Sequence, residues 1–98
     1  MSKTAPVPGV LEKFFTENEW CQGACARTKA GNECGTVHPK AHSFCLIGSA
    51  CVLHIDSQHL DRLFDAAKEE GFTSVSRFND QPGMTREKII DFCKRHHL

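Results

Sequence analysis

The chain contains no tyrosine, one tryptophan and two methionines, and its 12 basic and 12 acidic residues cancel. A protein that gathers nucleic acid or an anionic membrane through overall charge is therefore excluded, because such binding needs an excess of positive charge. A local patch would have to serve instead, and none stands out before Lys94–Arg95–His96–His97. No apolar run reaches the ~18–20 residues of a membrane-spanning helix. The opening MSKTAPVPGV lacks the apolar stretch of a secretory signal, which points to a cytoplasmic protein with no membrane partner. Walker loop, dinucleotide fingerprint, HExxH, GxSxG and C-x-x-C are all missing, and no carboxylates are paired for acid–base work. Those absences lean against an enzyme without ruling one out.

What is present is ordinary for a globular chain: 98 residues, 40% apolar and 24% charged, enough for a single core. Residues 1–8, broken by Pro6 and Pro8, read as a flexible arm, and 9–98 as one globular domain. Six cysteines in a reducing compartment are expected as free thiols or metal ligands rather than disulfides.

The longest apolar run, AHSFCLIGSACVLHI (Ala41–Ile55), is apolar on nearly all sides when wound as a helix, which predicts a buried central helix over about 41–55. Gly48 inside it weakens a helix by roughly 1 kcal/mol relative to alanine, so it is expected to admit a neighbouring backbone. Val10, Leu11, Phe14 and Phe15 form the face of a short first helix. Ala30–Gly31–Asn32 is a turn signal and predicts a small β-hairpin over about 21–37. Asp56 or Ser57 caps a helix whose stripe is Leu60, Leu63, Phe64 and Ala67, ended by Gly71. Phe72–Phe78 reads as a helical turn or two, Asn79–Gly83 as a turn, and Thr85 as the cap of a last helix with Ile89, Ile90, Phe92 and Cys93 inward. The fold expected is α+β and mostly helical, with four or five short helices around the central one.

Two sets of residues could carry chemistry. Cys21, Cys25, Cys34 and His38 follow C-x3-C-x8-C-x3-H, a donor set that zinc accepts if a hairpin gathers it. The spacing misses the common C-x2-C knuckle, and the competing interpretation is four small, half-buried residues. Cys21 and Cys25 alone could form a redox dithiol, although no thioredoxin-like pattern surrounds them. Cys45, Cys51 and Cys93 read as core thiols, since free cysteine packs as a small hydrophobe. Trp20 and Arg27 could offer an aromatic contact surface, and Asn79 and Asp80 a recognition loop. Against that, Trp20 could plug the core edge, and Asp80 could bond backbone amides within the turn.

Three segments in this order resemble one family. They are WCQGACAR (Trp20–Arg27) with Gly31 following, AHSFCLIGSA (Ala41–Ala50), and FNDQPGMT (Phe78–Thr85) opening the last helix. The family comprises small bacterial and phage proteins known only as a domain of unknown function, and the likeness runs from about Val10 to the C-terminus. It implies no activity. Its members usually lack cysteine at the positions of Cys21 and Cys25, so it lends nothing to cysteine chemistry. The function expected is a non-enzymatic binding or accessory module with a protein partner and no cofactor. A zinc-stabilised domain or a thiol redox protein are the alternatives.

Overall fold

The computed structural model describes residues 9–98, so the arm expected over 1–8 lies outside the described residues. Helix α1 (Val10–Glu17) leads into strand β1 (Glu19–Trp20), then β2 (Ala26–Thr28), β3 (Glu33–Cys34) and β4 (Ala41–Phe44). Four helices follow: α2 (Leu46–Leu53), α3 (Ser57–Glu69), α4 (Val75–Asn79) and α5 (Arg86–Arg95). The strands form one mixed sheet in the order β1-β4-β2-β3, with β1 and β4 parallel and the other pairs antiparallel. The α+β class expected from the sequence is the class observed.

The central helix is the main correction. Ala41–Phe44 is a strand, and only Leu46–Leu53 is helical. A short apolar run fits a buried strand as well as a buried helix, and periodicity alone does not separate them. Here β4 lies between β1 and β2, so both of its edges are bonded, and Ser43 and Phe44 at its end are buried on opposite faces. Cys45 is the joint. Its backbone is extended (φ −86°, ψ 177°), and its Sγ accepts the Gly48 N–H at 3.2 Å, capping α2.

The hairpin exists but is shorter than its predicted 21–37 span. Ala26 pairs with Cys34 and Arg27 with Glu33. Its turn closes through Gly31 N–H to Thr28 O (2.9 Å) and Thr28 N–H to Asn32 O (2.8 Å), with Gly31 in the left-handed region at φ 94°. Residues 21–25 lie ahead of the strand as a loop, because β1 pairs with β4 and not with the hairpin.

The helices expected from local signals stand where their caps put them. Asp56 and Thr85 accept the third amides of α3 and α5, from His59 and Lys88. Gly71 follows the C-cap of α3 at φ 93°. The core joins α1 (Leu11, Phe14, Phe15), β4 (Phe44), α2 (Leu46), α3 (Leu63), α4 (Phe78) and α5 (Ile89, Phe92, Cys93). Arg86 holds the end of α1 by donating to the Phe15 and Thr16 carbonyls (2.9 and 3.1 Å). Of the three cysteines expected in the core, Cys45 and Cys93 are buried. Cys51 is exposed, a correction that follows from α2 turning that side outward. Burial pushes the Cys45 thiol up to about 11 and the Cys93 thiol up to about 12, so both stay protonated at neutral pH.

His59 is an exception to good pairing inside this core: it is 3% exposed and its Nε2 has no hydrogen-bond partner among the described residues. Burial, seconded by the Arg62 charge, lowers its pKa below the ordinary ~6.5. The folded chain then binds fewer protons there than the unfolded chain, so the stability due to the neutral ring is full above ~6.5 and lost as pH falls below it. Urea midpoints measured at pH 7.5 and 5.5 should fall more for the wild type than for His59→Leu, which has nothing to protonate. Parallel behaviour of the two proteins would refute this account.

Candidate functional site

The loop between β1 and β2 is fastened to the end of α4 by side chains from both sequence motifs. Asn79, 1% exposed, sits at the centre. Its Oδ1 accepts the Trp20 indole N–H (2.8 Å) and the Leu46 amide (3.0 Å), and its Nδ2 donates to Cys21 O (3.1 Å) and Asp80 Oδ1 (2.9 Å). A carboxamide offers two acceptor lone pairs and two donors, so this one is saturated. The Leu46 amide is one of the orphan donors that every helix leaves at its start, here satisfied from 33 residues away. Gln22 Nε2 donates to Asn79 O (3.0 Å) and Gln81 O (2.9 Å), and the Gly23 amide donates to Asp80 Oδ1 (3.1 Å).

On the other side of the loop, Cys25 O accepts the Cys45 amide at 3.1 Å and presses on α2. A Cβ built on Gly48 would stand 2.0 Å from that oxygen. This is the close backbone approach expected of Gly48. Arg27 completes the frame, its Nε donating to Gln22 O (3.1 Å) and its Nη1 to Gly31 O (2.9 Å).

Between these contacts lies a recess of about 230 Å³ bordered by Gly23, Cys25, Cys45, Ile47, Ser76 and Asp80. Trp20, Asn79 and Asp80, proposed from sequence as binding residues, therefore meet in one place, with Arg27 bracing the loop they hold. Most of their polar capacity goes to one another. Cys25 is exposed at the recess and Cys21 is buried behind it, its thiol donating to Ala24 O (3.6 Å). Burial raises the Cys21 pKa against the opposing influence of the Ser43 hydroxyl and Arg27, which disfavours the thiolate a redox dithiol needs. All six cysteines are unbridged.

The zinc quartet is not gathered. Cys34 is paired across the hairpin with Ala26, and His38 lies in an exposed turn where its Nδ1 accepts the Lys40 amide (3.0 Å). Cys21 and Cys25 belong to the loop fastened to α4. Among the described residues no group of three or more His, Cys, Asp and Glu side chains could hold a metal ion. The physical reason is the shortened hairpin, which leaves both early cysteines outside the strand pair that was to align them.

Sequence reasoning missed a second region. The recess continues past Ile47 into an apolar hollow of about 360 Å³ between α2 and α3, lined by Ile47, Cys51, His54, Ile55, Leu60 and Phe64. Beyond Phe64 a further hollow of about 240 Å³ is bordered by Lys68, Thr73 and Val75. Phe64 is a ridge between the two. It is 41% exposed, although the helical stripe predicted it inside. The buried face of α3 is instead His59, Leu63, Ala66 and Ala67. The signal that could have shown this is the pair of alanines beside Leu63, which lets the helix sit close on that side and turns Phe64 to the flank. A larger hollow, about 490 Å³, lies elsewhere, between the hairpin turn and the β3–β4 loop beside Lys29, Lys40 and His42.

No described helix is long and apolar enough to cross a membrane. Compared with known proteins, residues 11–96 match the model of a family of unknown function, DUF6197. No curated protein and no solved structure matches the chain.

Proposed function

Because the chain belongs to this family of unknown function, its role has to be argued from its own surface, and we propose that it is a non-enzymatic protein-binding module. The contact face is the band that runs from the Cys25–Asp80 recess over Ile47 to Phe64 and Lys68. One observation carries this: three hollows joined through Ile47 and Phe64 leave an aromatic ridge exposed on a single side of the fold.

Each hollow is near or below the low end of the 300–1,000 Å³ of small-molecule sites, which suits single side chains of a protein partner better than an enclosed substrate. Aromatic side chains bordered by pockets are the usual anchors of protein contacts. The nearby polar side chains, Asn79 and Asp80, are matched within the chain. The zinc and redox alternatives draw no comparable support, since the proposed ligands stand apart and the buried thiol is held protonated.

A photo-crosslinking residue placed at Phe64 or Ile47 is expected to trap a protein that mass spectrometry can identify. The same residue at Val37, which is 90% exposed on the β3–β4 loop, should trap none. Phe64→Ser should abolish the adduct formed from position 47. Equal yields from all three positions, or none from 64 and 47, would refute the assignment of this face.

A further inference from the structure

We infer that the partner on this face is a second copy of the same chain, docked with the two α3 helices antiparallel and a two-fold axis beside Phe64. The inference rests on the reading of that face as a contact surface and adds the identity of its occupant.

Ser57, Asp61, Phe64 and Lys68 are all exposed and follow one another at spacings of four, three and four residues along α3. Such spacing lines up one stripe of a helix, as in the seam of a coiled coil. A two-fold interface must be self-complementary: if one residue meets another across it, the reverse contact is also made. Antiparallel pairing centred on Phe64 meets that demand. With a rise of 1.5 Å per residue, Asp61 lies ~4.5 Å before Phe64 and Lys68 ~6 Å after it, so each comes level with its opposite in the other copy to within ~1.5 Å.

Asp61 and Lys68 are also available. Neither forms an ion pair among the described residues, whereas Glu70, Asp91 and Arg95 are joined to one another and Glu19 to Arg86. Asp65, the other acid nearby, stands about 100° round the helix from Phe64, off the stripe. The apolar parts fit the same arrangement. The two Phe64 rings meet at the axis, each at the edge of its own Leu60–Ile47–Cys51 hollow. A net charge of zero places no long-range repulsion between two copies.

Sedimentation equilibrium of the wild-type chain up to ~1 mM is expected to show a reversible dimer. Asp61→Lys and Lys68→Asp, each exchanging two attractions for two repulsions, should each weaken it roughly tenfold or more. An equimolar mixture of the two variants should associate as the wild type does, because each like-charge pair becomes an opposite-charge pair in the mixed dimer. Circular dichroism melting confirms that these surface changes leave the fold intact. A wild-type chain monomeric at ~1 mM, or a mixture no tighter than its components, overturns the inference. If position 64 then still traps a different protein, the contact face stands and only its occupant was wrong; if it traps nothing, both fall.

Discussion

Asn79→Asp should be among the most damaging single changes in the chain, lowering stability by about 4 kcal/mol or more. The reason is the saturation of the Asn79 carboxamide. Exchanging its amide for a carboxylate oxygen sets acceptor against acceptor at Cys21 O and at Asp80 Oδ1, where 3.1 and 2.9 Å hydrogen bonds now stand. It also places a charge in a site that is 1% exposed. Asn79→Ala buries no charge but leaves the Trp20 indole, the Leu46 amide and Cys21 O without partners, at about 1–3 kcal/mol each before water relieves some of it. A chain of this size has about 5–15 kcal/mol in all, so the aspartate variant is on the edge of folding. Its defect should also grow with pH. Burial raises the pKa of the introduced carboxyl, the folded state holds its proton longer than the unfolded state, and stability drops as pH rises past ~3.9. Urea unfolding followed by the emission of the single tryptophan, itself bonded to Asn79, reads all of this. An aspartate variant with a midpoint near the wild type's would show that the network carries little.

Gly48→Ala poses two effects of opposite sign. Alanine stabilises a helix interior by roughly 1 kcal/mol relative to glycine. Against that, its Cβ would lie 2.0 Å from the Cys25 carbonyl oxygen, and that oxygen is backbone, already bonded to the Cys45 amide. Relief requires moving the loop off α2, which breaks the β4–α2 joint. Overpacking of this kind costs about 1–3 kcal/mol and more where backbone must move, so the clash wins. A net loss near 3 kcal/mol corresponds to a melting point lower by roughly 12–24 °C in a domain this small. A gain in melting temperature would mean that the loop and helix can separate freely.

Why some elements could be read from the chain and others could not comes down to the range of the forces that set them. Asp56, Gly71 and Thr85 act on amides and angles within four residues, so α3 and α5 were legible with their ends. The freedom demanded of Gly48 was legible too, because glycine inside an apolar helix has few other uses. The state of Ala41–Phe44 was not, since it depends on β1 and β2 arriving on either side. The start of α2 was hidden for a similar reason: its cap is a cysteine sulfur, and its first amide is satisfied from Asn79. At the candidate site Trp20, Asn79 and Asp80 each stand out, yet nothing local says that Trp20 bonds Asn79 across 59 residues or that Asp80 takes the Gly23 amide across 57. Phe64 was misplaced because apolar spacing marks a stripe without fixing which edge of it the packing closes over.

The reach of Asn79 also bears on how the protein is made. A chain leaves the ribosome from its N-terminus, and early segments usually settle before later ones appear. Here the Trp20 indole and the Leu46 amide lack their partner until Asn79 emerges, and Arg86 comes later still to close the end of α1. The start of α2 and the Trp20 end of the loop are therefore completed by a residue that follows them by 33 and 59 positions, so this corner of the fold cannot close before Asn79 has been made.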